Sequence, residues 1–133
     1  MDIREYKTYC EREVLPLYRS VGWTAYTDRP DVLQKGFERS LLCLAAYEGD
    51  RLIGLVRAVG DGQTVVLIQD LLVHPTYQRQ GVGTKLMNAV LKRFQDVRQV
   101  QLVTDDTPKT TAFYESLGFK TMENLGCRGY MKA

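Results

Sequence analysis

The chain has 133 residues, 44% hydrophobic and 26% charged, a size and balance that suit one soluble globular domain with a core of its own, residues 1–133. Its 18 basic and 16 acidic residues leave a formal charge of +2, too small to argue for nucleic acid or a membrane surface as partner. Cys10, Cys43 and Cys127 are odd in number and lack any Cys-x-x-Cys or Cys/His spacing, which excludes a disulfide framework and a metal site; the charged N-terminus carries no apolar signal segment, no apolar run approaches ~18 residues, and a cytoplasmic location is expected.

Residues 2–5 read as a short first strand. From Lys7 to Val21 the spacing of Tyr9, Val14, Leu17, Tyr18 and Val21 predicts a helix that Gly22 stops and that Pro16 threatens to kink or split. Gly22 to Pro30 reads as a loop carrying Trp23 and Tyr26, and a second helix is expected over 30–40, with Val32, Leu33 and Phe37 inward and Gly36 weakening it. Strands over 41–47 and 51–59 flank a compact turn at Glu48-Gly49-Asp50, and Asp61-Gly62 turns the chain into a long strand over 64–73. Three antiparallel strands in a meander follow from this.

After that strand, Val82, Leu86, Val90 and Phe94 recur every fourth residue, with Met87 and Leu91 widening the stripe, which predicts an amphipathic helix. A strand over 97–104 follows. Asp105-Asp106-Thr107-Pro108 then opens a further helix that ends before Gly118. Two short strands, 119–122 and 128–131, are expected to close the chain around a turn at Asn124-Leu125-Gly126. The order implies an α+β fold with a mostly antiparallel mixed sheet, in which strands 64–73 and 97–104, joined through a helix, run parallel.

The stretch Gln78-Arg79-Gln80-Gly81-Val82-Gly83-Thr84 sits between a buried strand and a helix, with two glycines at the helix's first turn. That layout aims unpaired backbone N–H groups and the positive end of a helix at an anion. Gly81 and Gly83 allow close approach, and Gln78 and Arg79 add side-chain donors. A dinucleotide fold is excluded by the missing third glycine and the missing acidic end of the next strand, and Gly83-Thr84-Lys85 does not complete a P-loop. Asp70 is the only ionisable residue between Thr64 and Val73, so its carboxylate must be paired, raised in pKa or turned to a cleft. His74, the sole histidine, precedes Pro75 in a loop and reads as a surface residue.

Three segments together resemble the GNAT superfamily of acyl-CoA-dependent N-acetyltransferases. Gln78-Arg79-Gln80-Gly81-Val82-Gly83 is similar to its Q/R-x-x-G-x-G/A signature. Leu71-Leu72-Val73-His74-Pro75-Thr76-Tyr77 is similar to the run before it, and Thr111-Ala112-Phe113-Tyr114-Glu115-Ser116-Leu117-Gly118-Phe119 to the family's later helix end. The resemblance covers roughly residues 41 to 119 and extends to the first 40 only by element order.

The resemblance implies a GNAT-like fold with a splayed central parallel strand pair and flanking helices, acetyl-CoA as cofactor, and transfer to a primary amine. It places the pyrophosphate on the N–H groups from Arg79 to Thr84 and the pantetheine arm in the splay, bonded to main-chain groups over Leu71, Leu72 and Val73. It implies that the Leu71 amide stabilises the oxyanion and that Tyr114, with Phe113 beside it, stands near the sulfur as general acid, the other reading of Tyr114 being a core aromatic. Asp70 then reads either as general base, as in the amino-sugar-phosphate members, or as a structural carboxylate holding loop backbone, with a water chain doing the work instead. Thr107 stands where many members have an asparagine on the pantetheine, and it also reads as a helix cap. Lys109 and Thr110 fall near the diphosphate by the same pattern, and they read equally as a solvated surface. The loop with Trp23 and Tyr26 corresponds to one wall of the acceptor site, where those rings, with Asp28 or Asp31 and with Asp70, would meet a cationic or aromatic amine; their other reading is the packing of a helical lid over the sheet.

Leu67 occupies the position where histone-acetylating members carry glutamate, which favours a small-molecule amine over a protein lysine or N-terminus. A non-catalytic acyl-CoA sensor is the remaining alternative. A homodimer is expected by resemblance only.

Overall fold

The computed structural model describes residues 1–133. Five strands, β1 (Asp2–Glu5), β2 (Leu42–Glu48), β3 (Arg51–Gly60), β4 (Val65–Val73) and β5 (Gln99–Leu102), form one sheet in the order β1-β2-β3-β4-β5. The first four pair antiparallel and β4 pairs with β5 in parallel, as the connecting helix requires. Helices α1 (Glu11–Ser20), α2 (Thr24–Thr27), α3 (Pro30–Glu38), α4 (Val82–Arg93) and α5 (Pro108–Ser116) complete the elements.

The chain forms two compact units, Met1–Val103 and Thr104–Ala133. In the first, α1 and α3 cover one face of the sheet. Val14, Leu17, Tyr18, Leu33 and Phe37 pack there with Cys43, Ala45, Leu52, Leu55 and Leu72. Val82, Leu86, Met87 and Val90 form the buried stripe of α4. Gly54 on β3 accommodates that stripe, because a Cβ there would stand 3.0 Å from Val82 Cγ1. The helix α1 runs through Pro16 without interruption, the proline lying on its exposed side. Gly36, unexpected inside α3, is explained by Arg57: a Cβ at Gly36 would meet the guanidinium Nη1 at 3.3 Å.

In the second unit Thr107 caps α5, its hydroxyl accepting from the Thr110 N–H at 3.2 Å, and Pro108 fills the first turn. Gly118, with φ of 91°, ends the helix. The two terminal strands do not form. The turn at their centre does, with Gly126 at φ 77° and the Cys127 N–H donating to the Met122 carbonyl at 2.8 Å. A short segment makes a strand only when a neighbour completes the ladder, and neither 119–122 nor 128–131 pairs with another segment. The segment expected as loop before α3 contains the four-residue helix α2, too short to show a period.

Candidate active site

The open notch in the sheet follows from the register of β4. Pairing with β5 ends at Ile68↔Leu102, so Gln69 to Val73 have no β5 partner. At the same place the β3–β4 register passes from Ala58↔Ile68 to Arg57↔Asp70, leaving Gln69 as the extra residue of a β-bulge. The His74 N–H donates to the Ile53 carbonyl at 2.8 Å, which makes Ile53 and His74 a hydrogen-bonded pair. Bonded and non-bonded pairs alternate along an antiparallel ladder. Leu55/Leu72 and Arg57/Asp70 are therefore bonded, whereas Gly54/Val73 and Val56/Leu71 are not. Leu71 and Val73 accordingly turn their N–H and C=O groups away from β3, into the notch that β5 leaves open. Of these, the Val73 carbonyl accepts from Gln78 Nε2 at 3.0 Å, which leaves the Leu71 N–H and C=O and the Val73 N–H for a bound molecule. Leu72 points the other way, its side chain in the core and its peptide on β3.

The strand then enters a 3-10 turn, Pro75–Tyr77, capped by His74 Nδ1, which accepts from the Thr76 N–H at 3.1 Å. His74 thus holds the turn. The backbone next takes two left-handed steps, at Arg79 (φ 66°) and Gly81 (φ 82°), before α4 begins. For a non-glycine residue such a step costs ~1–3 kcal/mol, strain of the kind stored where a loop must present its N–H groups inward. Gly81 caps α4 without any side-chain bond, and the first helical bond is the Lys85 N–H to the Gly81 carbonyl at 3.0 Å. The N–H groups of Val82, Gly83 and Thr84 are left without helical acceptors, at the positive end of a twelve-residue helix. A Cβ at Gly81 would meet nothing within 4 Å, so the approach is open.

Gln80 Nε2 donates to the Thr76 carbonyl at 3.3 Å, and Gln78 is spent on Val73, so both glutamines fasten the loop to itself. The Val82 side chain is buried and only its backbone faces outward. A bare helix start that follows directly on a strand edge with free peptide groups fits an elongated ligand bearing a phosphate at one end and amides along its length, which is the chemistry of coenzyme A.

On the α1 face Asp70 is 2% exposed, and three donors close on its carboxylate. Arg57 Nε lies 2.8 Å and the Tyr18 hydroxyl 2.9 Å from Oδ2, and the Tyr26 hydroxyl lies 2.7 Å from Oδ1. Gln69 Nε2 donates to the Tyr26 hydroxyl at 3.2 Å. Burial and the adjacent carboxylate push the Tyr18 phenol far above its ordinary range. Burial also raises Tyr26, against Gln69, which pulls it down, and with Asp70, which adds to the rise. Burial pulls the Arg57 guanidinium down, but Asp70 more than restores it and the net change is upward. Asp70 is thus buried, with each of its carboxylate oxygens accepting at least one hydrogen bond.

Trp23 and Tyr26 both lie at this cluster, their rings 5.9 and 5.3 Å from that of Tyr18. Arg57 and Tyr18 are the residues that sequence reasoning missed. The available signal was a lone arginine in the apolar run 52–59, facing a lone aspartate across a short turn.

The remaining expected residues lie in the second unit. Tyr114 is half-buried between Phe113 and Phe119, with ring centroids at 5.0 and 5.9 Å, and burial raises its phenol against a lowering hydrogen bond with Thr104. The Thr107 hydroxyl is engaged with Thr110, whose Oγ1 it meets at 2.8 Å, and Lys109 is exposed. No group of three or more His, Cys, Asp or Glu side chains stands in position to hold a metal ion.

Residues 7–132 match the model of the acetyltransferase (GNAT) domain. The chain is 35% identical over 120 residues to an uncharacterized N-acetyltransferase, ycf52-like, of Prochlorococcus marinus, with 87% of this chain and 65% of that protein covered. It is 36% identical over 75 residues to the histone acetyltransferase TAP1 of Glycine max, with 55% of this chain and 32% of that protein covered. The chain thus spans less than two thirds of the length of these curated relatives. Among solved structures, a GNAT family acetyltransferase from Streptococcus pneumoniae superposes with a TM-score of 0.90 at 39% identity, covering 99% of this chain and 96% of that one. The PaiA N-acetyltransferase of Thermoplasma acidophilum, solved with coenzyme A, shares the fold at a TM-score of 0.74 and 19% identity, over 90% of this chain and 91% of that one. With its family match running through both units, the chain belongs to the GNAT family of acetyltransferases, whose cofactor is acetyl-CoA.

Proposed function

We propose that the chain is a single-domain N-acetyltransferase that acetylates the primary amine of a small molecule by direct attack, without an acyl-enzyme. The observation that carries this reading is the Leu71 peptide, turned by the ladder away from β3 into the open notch. Acetyl-CoA, when bound, supplies an activated acyl carbon. The N–H groups of Val82, Gly83 and Thr84 and the Arg79 side chain bind the diphosphate. The Val73 N–H and the Leu71 C=O hold the pantetheine amides in the manner of an added strand. The Leu71 N–H would donate to the carbonyl oxygen of a bound acetyl group, a contribution of ~3–4 kcal/mol for one preorganised donor.

No side chain here forms a Ser-His or Cys-His pair, which supports direct attack. Tyr114 is assigned as the acid that gives its proton to the departing sulfur, on the strength of its place in the matched segment and of a phenol that burial keeps protonated. A free amine is needed for attack, and an aliphatic ammonium with pKa near ~10 is only about 0.1% deprotonated at neutral pH. Because Asp70 is enclosed, we assign removal of that proton to water in the open notch, and to Asp70 the task of holding Tyr26 and Tyr18. Trp23 and Tyr26 form the wall that meets the amine. Thr107 serves as a cap, and Lys109 and Thr110 add to diphosphate binding.

The name of the soybean relative supports a second reading, acetylation of a protein amine. Leu67, at the position of the histone-acetylating glutamate, and a net charge of +2, which does not attract basic tails, support the first. No helix is long and apolar enough to cross a membrane, and the three cysteines are free, which supports a reducing, cytoplasmic setting. Leu125, Tyr130 and Met131 are exposed, which supports a homodimer that covers them.

The reading is tested by release of CoA thiol with polyamines, aryl-alkylamines, amino sugars and lysine-bearing peptides as acceptors. Turnover is expected on a small amine. Faster turnover on peptides favours the second reading, and acetyl-CoA binding without turnover on any acceptor favours a sensor.

A further inference from the structure

Arg57 and Asp70 form a buried ion pair at a place where stability alone does not call for one. They are 6% and 2% exposed and directly opposed in the β3–β4 register, with Nε 2.8 Å from Oδ2. Apolar residues of similar volume serve such a site equally well or better, because desolvation cancels most of the attraction between the charges. What the pair adds is specificity of register. It stands at the bulge, one residue beyond Gln69, and Ile68 on the other side is the last residue of β4 to pair with β5. A slip of one residue exchanges the peptide groups that face β3 with those that face the notch, and exchanges the two faces of the strand. Asp70 would then leave Arg57 and Tyr18 for the face where α4 buries only Val82, Leu86, Met87 and Val90.

The partners of the pair come from three further elements. Tyr18 of α1 donates to Oδ2 at 2.9 Å, Tyr26 of α2 donates to Oδ1 at 2.7 Å, and Arg57 Nη1 reaches Ser40 Oγ just past α3 at 3.3 Å. The guanidinium lies 5.6 Å from the Phe37 ring and fills the space that Gly36 leaves. Tyr26 is half-buried on a helix of one turn. Tyr18 is fully buried and Arg57 nearly so.

We propose that Arg57 and Tyr18 are positioning residues for the acetyl transfer: by fixing Asp70 they hold the β4 bulge in the one register that turns the Leu71 N–H into the notch. This rests on the acetyltransferase reading above, in which that N–H serves the reacting carbonyl. Neither residue touches the reacting groups, and both act through the backbone next to Leu71.

The test is the double variant Arg57→Met/Asp70→Leu, which removes both charges together and leaves neither unpaired, accompanied by Tyr18→Phe, which keeps both charges. Four quantities are measured on the full chain: melting temperature, acetyl-CoA affinity by calorimetry, kcat and KM for a working amine, and the 1H–15N resonance of the Leu71 amide. The double variant takes the acceptor from the Tyr18 and Tyr26 hydroxyls and is expected to melt below the wild type; its acetyl-CoA binding should weaken but persist, since the loop over 78–84 is untouched while the Leu71 and Val73 peptides are displaced. Its kcat should be lower by roughly tenfold or more, as for loss of an aimed oxyanion donor, with a displaced or broadened Leu71 resonance. Tyr18→Phe should also lose some stability and should show the same fall in kcat and shift of the Leu71 resonance to a smaller degree, and it carries the test if the double variant does not fold.

A kcat within about twofold of wild type, with the Leu71 resonance unmoved, overturns the proposal, twofold being too little for loss of an aimed donor. Asp70→Asn separates positioning from base catalysis: a positioning role lowers kcat by the same factor at every pH, whereas a deficit that disappears at high pH, where the amine is already free, marks Asp70 as the base and overturns the proposal. If the wild type transfers acetyl to no amine, that failure belongs to the proposed function, and the Leu71 resonance of Tyr18→Phe, which leaves both sequence neighbours of Leu71 unchanged, still decides: moved supports the register lock, unmoved overturns it.

Discussion

Gly54 of β3 lies directly beneath Val82, the first residue of α4, so closely that a Cβ on Gly54 would stand 3.0 Å from Val82 Cγ1 and 3.2 Å from Leu86 Cδ1. The contact seats the bare N-terminus of α4 against β3, the strand that pairs with the edge of β4 opposite the notch. The two halves of the proposed cofactor site are thereby set by one small residue. Gly54→Ala is expected to destabilise the fold by about 1–3 kcal/mol through overpacking. It should also weaken acetyl-CoA binding, because the first turn of α4 must lift. Chemical denaturation and calorimetry measure the two effects, and unchanged affinity in a destabilised variant would separate the seat from the site.

Gly81 offers a cleaner probe of loop conformation. A Cβ there meets nothing within 4 Å, so Gly81→Ala introduces no clash. It does oppose the left-handed φ of 82°, at a cost of about 1–2 kcal/mol. Binding of acetyl-CoA should weaken about tenfold with little change in kcat at saturation, the pattern of lost ground-state binding. Equal affinity in Gly81→Ala and wild type would show that this backbone step does not aim the N–H groups.

Tyr114→Phe is expected to lower kcat by roughly a hundredfold with KM for the amine nearly unchanged, if the phenol delivers a proton to the leaving sulfur. The pH dependence follows from the direction of its shift. Burial raises the Tyr114 pKa above the ordinary phenol value of 10.0, so the acid stays protonated through the neutral and mildly alkaline range. The wild-type rate should therefore climb from about pH 6 to 9 as the amine loses its proton, with no decline owed to Tyr114. Steady-state rates across that range check it, and a flat profile contradicts it.

Tyr18→Phe should cost about 1–3 kcal/mol of stability, because it strips a donor from a carboxylate that water cannot reach. Thermal or urea unfolding measures the loss. A stability equal to wild type would mean that Asp70 Oδ2 is satisfied by Arg57 alone.

The parts of the molecule legible in the sequence are those with local periodicity. Val65 to Val73 and the stripe of Val82, Leu86 and Val90 announce β4 and α4 within a few residues of their observed ends. The glycines between them announce the loop. The Arg57–Asp70 pair depends on a register fixed by a bulge at Gln69, and nothing local in either strand specifies which residue is extra. Tyr18 reads as one more core aromatic until its hydroxyl is placed 2.9 Å from Asp70. The same lack of local signal hides α2, a single turn with no repeat. Phe119, Thr121 and Tyr130 are residues that favour strands, yet strand formation depends on a partner edge that composition does not specify.

The central claim, that the start of α4 and the open edge of β4 together hold acetyl-CoA, is tested most directly by titrating acetyl-CoA into 15N-labelled protein and following the backbone amides. The account predicts saturable shifts at Gly81, Val82, Gly83 and Thr84 together with Leu71 and Val73, all titrating with one dissociation constant. Shifts confined elsewhere, or a loop response with Leu71 and Val73 unmoved, would contradict it.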